Sequence, residues 1–412
     1  MTLRTEMLWK PWSWLYVVCF LDLFGASLIM PMFSAHLRSL GVSHTDIGLL
    51  SSIYGATQLI SGPVIGSWSD INGRSQILCL SMIICSVAYG LMGIISSFAQ
   101  FFFIRCVLGS FKHTQTLSRA FISDIVPEEK QASVHGIMNA FTSFSFTIGP
   151  VISGHMMEME NGFLNLTRTV MLIFILNTTV VYIFANKTDK SFSKESYSER
   201  RKLYEDIVLV FKELYNIKWT SFWALFSVKF LFALTGMLFF QNMGVILTEN
   251  FEISHKSMGY TISFYGFVSV LCNLGVGQIK HSGFLPKSNL KSLTYTFFMM
   301  AVTFCLLYVT NSYQIFVLGI IPLSSSHALT RILLTEVLLE QSDASCVGSV
   351  VGASSSITSI ARILVPFISG LIISWGGVSC ALLVSSVIAF GACLLTVLYT
   401  QTTDKSLKPS SD

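Results

Sequence analysis

Charge is scarce in this chain. Its 26 Lys and Arg and 22 Asp and Glu amount to 12% of 412 residues, against roughly 25% in a soluble domain. With 52% hydrophobic residues and a mean hydropathy of +0.65, the chain cannot be arranged as one soluble core. No basic arm with interleaved aromatics stands apart, and at a net charge of +4 nucleic-acid binding has no electrostatic footprint. The cysteines (Cys19, Cys79, Cys85, Cys106, Cys272, Cys305, Cys346, Cys380, Cys393) form no CxxC pair and no metal-ligand spacing. They read as small buried hydrophobes, so no metal is expected. HExxH, GxSxG and paired catalytic carboxylates are also missing, which removes the enzyme reading. Without a GxxxxGK[ST] loop, energy must come from gradients, and no cofactor is implied.

What is present is a series of apolar runs of about twenty residues, each long enough to cross a hydrocarbon core of roughly 30 Å as a helix. Twelve are expected, at about 12–33, 46–68, 76–97, 99–119, 135–155, 168–186, 219–247, 258–280, 290–309, 313–333, 347–374 and 378–400. The first continues past Asp22 to Phe33 without a small-residue cleavage signature, so it reads as a membrane helix and not a removable signal peptide. Basic residues then set orientation, because cytoplasmic loops accumulate Lys and Arg. Arg4, Lys10, Arg74, Lys130, the block from Lys187 to Lys218, Lys280, Lys287, Lys291, Lys405 and Lys408 fall on one side, and Arg38, Arg168 and Lys256 on the other. Both termini are expected to be cytoplasmic. The sequon at Asn165 then faces outward as a glycosylation candidate, while Asn177 and Asn186 are expected to be silent.

Residues 187–218 form the long polar break. Leu203, Ile207, Phe211 and Leu214 recur at helical spacing among charges, which suggests a cytoplasmic amphipathic helix; a solvated linker with accidental periodicity is the alternative. The chain therefore divides into an N-terminal bundle at 1–186, a linker at 187–218 and a C-terminal bundle at 219–412.

The two halves repeat one another. Ile47-Gly48 through Tyr54-Gly55 matches Met258-Gly259 through Tyr265-Gly266, and the same offset carries Gly66 onto Gly277. Leu117-Ser118-Arg119 with Asp124 matches Leu329-Thr330-Arg331 with Glu336, and Pro150 to Gly154 echoes Pro366 to Gly370. Collinear matches at a near-constant spacing are hard to obtain by chance.

Between the second and third runs stands Gly66-Ser-Trp-Ser-Asp70-Ile-Asn-Gly73-Arg74. Gly66 would allow close helix approach, Gly73 a positive φ, and Asp70 would lie against a helix N-terminus. Arg74 would meet an acid on an adjacent loop, for which Asp124 is the candidate. An ordinary positive-inside turn explains Arg74 but not the Gly-Asp-Gly spacing.

This segment resembles the GxxxDxxGR loop of the major facilitator superfamily, although Ser75 stands where that family usually has a second basic residue. Leu21-Asp22 through Pro31, Tyr54 through Gln58, and Ala120 through Ile125 are similar to its tetracycline-exporter branch. An animal subgroup carries a basic residue in its seventh and eleventh spans, as this chain does. The resemblance covers about residues 12–400 and implies an all-α integral membrane fold: twelve transmembrane helices as two pseudo-symmetric six-helix bundles around a central cavity. Arg105 followed four residues later by Gly109 resembles a fourth-span pattern associated with proton coupling. Gly149-Pro150 keeps part of an antiporter signature, with a packing kink as the structural alternative.

Several charges lie deep in the runs. Asp22 could exchange protons, or be locked in an ion pair with Arg105 or Lys112. Arg105, Lys112 and Arg119 recur every seven residues on one helical stripe, with Arg119 as a structural residue at the cytoplasmic end. Lys229 and Arg362 are too deep to snorkel easily. Tyr54, Gln58, Lys112, Lys229, Tyr265 and Arg362 are the candidate cavity residues, and Gly66, Asp70, Gly73, Arg74, Arg119, Asp124, Arg331 and Glu336 the candidate cytoplasmic gate. The excess of deep cations would attract an anion. The expected function is proton-coupled secondary transport of a small organic solute, an organic anion, with the lipid bilayer as solvent and a monomer as the working state. A membrane scaffold or solute sensor that transports nothing is the alternative.

Overall fold

The computed structural model describes residues 11–192, 219–281, 283, 285–286, 288–342 and 347–406. The linker helix expected at 187–218 lies almost wholly outside the described residues. Among the described residues thirteen helices run in order: α1 (Trp14–Ser39), α2 (His44–Asn72), α3 (Arg74–Met92), α4 (Phe98–Phe111), α5 (Thr114–Ile125), α6 (Glu128–Met157), α7 (Gly162–Phe192), α8 (Trp219–Phe251), α9 (His255–His281), α10 (Asn289–Val309), α11 (Tyr313–Glu340), α12 (Val347–Gly376) and α13 (Cys380–Ser406). No strand occurs among the described residues.

Nine of these helices are long and apolar enough to cross a membrane. The other four are α4 and α5, which are short at 14 and 12 residues, α2, whose apolar stretch is diluted by Ser, Thr and Gln, and α6, which opens on Glu128, Glu129 and Lys130. Most helices run several residues past the apolar runs that announced them: α6 starts at Glu128 and not near 135. Backbone hydrogen bonding carries a helix beyond the apolar segment into polar flanks, so hydropathy underestimates its length. Pro31, Pro63, Pro150, Pro322 and Pro366 sit inside helices, which membrane-spanning helices tolerate better than soluble ones.

The fourth expected run is not one helix. α4 and α5 are its two pieces, interrupted at Lys112 (φ −78°, ψ 72°) and His113 (φ −114°, ψ 18°). No proline or glycine causes this. α2 instead supplies replacements for the lost backbone bonds: Ser61 Oγ donates to the Gly109 carbonyl (3.3 Å) and Gln58 Nε2 to the Lys112 carbonyl (2.9 Å). Gly109 is required at this crossing, because a Cβ there would overlap Thr57 and the Tyr54 carbonyl.

Two compact units emerge. The first comprises residues 1–42, 53–208 and 254–263, the second 43–52, 209–253 and 264–412. In the first, α1 packs on α6 and α7, and α3 on α7 and α4; in the second, α8 packs on α12 and α13, and α10 on α13 and α11. Shifting each helix of the first pattern by six spans yields the second, so the sequence repeat is a structural repeat. Packing of this kind relies on van der Waals contact between close surfaces, with no hydrophobic driving force inside lipid. Large apolar side chains cover the outside instead: Phe103, Leu274 and Trp375 are exposed.

The units exchange one pair of short segments. The first turns of α2 belong to the second unit, and the first turns of α9 to the first. Within the second unit Gly48 lies against the Pro366 carbonyl and Gly370 against the His44 carbonyl; within the first, Gly259 lies against the Pro150 carbonyl and Gly154 against the His255 carbonyl. The repeated sequence blocks are thus the surfaces that meet. Pseudo-symmetry ends at the polar bonds around them. Ser52 Oγ accepts the Phe367 amide (3.1 Å) in the second unit, whereas exposed Glu158 accepts the Lys256 amide (3.1 Å) in the first, a bond that holds its carboxyl below the usual range.

Candidate functional site

The break between α4 and α5 presents Lys112 to α1. Lys112 Nζ donates to Asp22 Oδ1 at 2.7 Å, with both side chains buried. Gln115, in the first turn of α5, donates to Asp22 Oδ2 (3.2 Å) and to the Cys19 carbonyl (3.3 Å). Of the two partners open to Asp22 in the sequence, the structure selects Lys112. An isolated buried charge costs several kcal/mol, and mutual attraction with extra hydrogen bonds offsets this. The ammonium also lies 5.0 Å from the Phe174 ring centroid. Below the pair, Gln58 Nε2 reaches the Tyr54 hydroxyl (3.3 Å), and Ser61 Oγ meets His113 Nε2 (2.8 Å).

Arg105 is not joined to Asp22. Its guanidinium carbon stands 3.7 Å from the Phe33 ring centroid and 5.6 Å from that of Tyr54. Its Nε is sealed from solvent without a hydrogen-bond partner. The single stripe expected for Arg105, Lys112 and Arg119 does not exist, because the helix is interrupted between the second and third of them. Arg119 is exposed on α5.

In the second unit the polar centre is one that sequence reading passed over. His327 Nδ1 and the Tyr265 hydroxyl are 2.7 Å apart, with Phe232 and Phe240 at 4.7 and 5.9 Å from the imidazole. Gly236 on α8 leaves room for the ring, since a Cβ there would stand 2.6 Å from Nε2. The signal was available: the offset that pairs Arg119 with Arg331 also pairs Gln115 with His327. Lys229 is half-buried with its ammonium 6.0 Å from the Phe232 centroid, and no described residue forms an ion pair with it. Arg362 is exposed.

At the end where α2 runs into α3, Gly73 has φ 98°, and Arg74 bonds Asp70 (2.6 Å), Asp124 (2.7 Å) and Ser69 (3.0 Å). Asp70 therefore lies against the first residue of α3. Gly66 does not mark a close approach: a Cβ there would meet no atom within 4 Å. The corresponding corner of the second unit uses different residues. Glu336 pairs with Lys280 from the end of α9, while Arg331 donates to Asn273 Oδ1 at 3.2 Å. From the sequence, Lys280 counts only among the basic residues that set orientation.

Gly149 fits against Ser27, whose hydroxyl donates to the Ser145 carbonyl (3.0 Å), so this segment of α6 packs tightly on α1 beside Pro150. Asn165 is in the first turn of α7, with Nδ2 donating to the Glu160 carbonyl (2.9 Å), and Thr167 of its sequon is fully buried. No cluster of His, Cys, Asp and Glu able to hold a metal occurs among the described residues.

The comparisons with known proteins agree with this architecture. The chain is 28% identical to the quinolone resistance protein NorA of Staphylococcus aureus over 184 residues, 44% of this chain and 47% of that protein. It is 33% identical to the class E tetracycline resistance protein of Escherichia coli over 141 residues, 34% of this chain and 35% of that protein. The chain thus spans less than half the length of the curated relatives it matches. Among solved structures, a bacterial homologue of the human lysosomal transporter Spinster superposes with a TM-score of 0.77 at 14% identity, covering 99% of both chains. The human organic anion transporter MFSD10 superposes at 0.64 and 17% identity, covering 93% of this chain and 98% of that one. At such identities the likeness concerns the fold. The pattern of the Major Facilitator Superfamily matches residues 15–363, and the chain belongs to that family of membrane transporters.

Proposed function

We propose that this transporter moves a small organic anion, coupled to protons, with Asp22 as the proton carrier and the two halves alternating in their access to the two sides of the membrane. The observation that carries the anion reading is the uneven compensation of deep charge. Asp22, the deep acid, is matched by Lys112, while Arg105 and Lys229 have no carboxylate within ion-pair distance among the described residues. A scaffold that only kept the fold would be expected to pair its deep charges with each other. The Gly149-Pro150 segment and the names of the relatives, which concern resistance to quinolones and tetracycline and organic anion transport, support export by antiport. The protein works as a monomer with both termini in the cytoplasm.

The deciding experiment uses purified protein in liposomes and compares flux of small organic anions with that of organic cations, with and without an imposed pH gradient. Anion-selective flux that follows the gradient and disappears in Asp22→Asn is expected. Equal pH dependence in wild type and Asp22→Asn removes Asp22 from coupling. Absence of flux for every class, in correctly folded protein, moves the weight to a sensor or scaffold.

A further inference from the structure

We infer that Arg105 is the anchor for the anionic head of the substrate, and that this head is a carboxylate or sulfonate on a planar aromatic body. The inference rests on the organic-anion reading and adds to it a docking residue and a substrate shape. Three cations of the first unit, Lys112, Arg74 and Arg105, can be compared directly. Lys112 is neutralised by Asp22 at 2.7 Å. Arg74 is held by two carboxylates and a serine hydroxyl. Arg105 alone of these three has neither an acid nor a hydrogen-bond acceptor among the described residues, and its Nε is sealed and unpartnered.

The geometry says how an anion would meet it. Phe33 holds the charge through its ring face, with the guanidinium carbon 3.7 Å from the ring centroid, a contact that uses no hydrogen-bond acceptor. The N–H groups of a guanidinium form a planar fork matching two oxygens of one head group. The side chain as a whole is mostly but not fully buried, and no described residue covers the remaining N–H groups with an acceptor. Tyr54, with its ring centroid 5.6 Å from the guanidinium carbon and its hydroxyl in reach of Gln58, supplies a second aromatic wall with a polar rim. A head group with a planar apolar body suits such walls better than a flexible chain or a compact dicarboxylate. Arg105 stands two helical turns before Lys112, about 10 Å along α4. Anion docking and the Asp22–Lys112 pair are therefore separate sites on one bundle.

The test uses the full-length protein in liposomes with 1-naphthoate, its uncharged amide and butyrate as probes, read by tracer flux and by ligand-induced thermal shift in detergent. Wild type is expected to carry naphthoate in preference to butyrate, to ignore the amide, and to be stabilised by naphthoate. In Arg105→Gln the KM for naphthoate rises at least about tenfold with kcat little changed, and the thermal shift is lost. Arg105→Lys, which keeps the charge without the planar fork and guards against a folding defect in the Gln variant, recovers part of the affinity. Phe33→Leu weakens naphthoate more than butyrate. An unchanged KM and thermal shift in folded Arg105→Gln, with wild-type flux intact, overturns the anchor while leaving anion transport standing. A wild type that responds to no anion overturns both.

Discussion

Asp22 and Lys112 compensate one another inside the bilayer-spanning region, so removing either leaves the other as a buried, unmatched charge. Loss of one member of such a pair costs about 3–5 kcal/mol, whereas replacing both by neutral groups of similar size is often tolerated. Lys112→Met alone is therefore expected to lower thermal stability sharply, and Asp22→Asn with Lys112→Met to recover most of it. The double variant is expected to have lost pH-driven flux all the same, because no titrating carboxylate remains at the site. Thermal unfolding of the four members of this cycle, beside flux, separates the structural role of the pair from the transport role. Double-variant stability no better than that of Lys112→Met alone would show that the pair is not what Lys112 satisfies. Sequence reading reached this pair only as one of two options for Asp22; the choice depended on a break in the fourth span that no proline or glycine announced.

At the scale of helices, the glycines divide into those that contact backbone and those that do not. A Cβ at Gly48 or Gly259 would overlap the carbonyl of Pro366 or Pro150 respectively, and backbone cannot move aside as a flexible side chain can. Gly48→Ala and Gly259→Ala are each expected to cost about 1–3 kcal/mol by overpacking. Gly66→Ala, which meets no neighbour within 4 Å, serves as the matched control and is expected to change stability little. Melting curves of the three variants check this, and an equal effect at all three positions would mean that the crossings are not the cause. The sequence repeat picked out these blocks without showing that they pack on each other. Similarity between two segments reports common ancestry of form; which surfaces meet follows from the rotation of each helix about its axis.

For the whole molecule, the distribution of Lys and Arg implies that the α5–α6 connection faces the cytoplasm and the α6–α7 connection the opposite side. A cysteine introduced at exposed Glu129 is expected to react with an impermeant maleimide only when the cytosolic face is opened. One at exposed Glu160 is expected to react from the other side. Reversed accessibility, scored over the background of the native cysteines, would invert the assigned orientation and with it the direction of any coupled flux.

Membrane residence, span number, the internal repeat and the Arg74 corner were legible in the one-dimensional order of residues, because hydropathy, charge bias and turn glycines act locally along the chain. The Arg74–Asp124 bond could be anticipated since both residues stand at helix ends fixed by the same span count. Other pairings answered to a different constraint. That Lys112 and not Arg105 meets Asp22, that Glu336 takes Lys280, and that His327 faces Tyr265 depended on which side each helix turns to its neighbours and how far it slides along them. Composition and spacing determine that a helix exists and what solvent it prefers. Only the packed bundle decides which buried charge finds a partner and which does not.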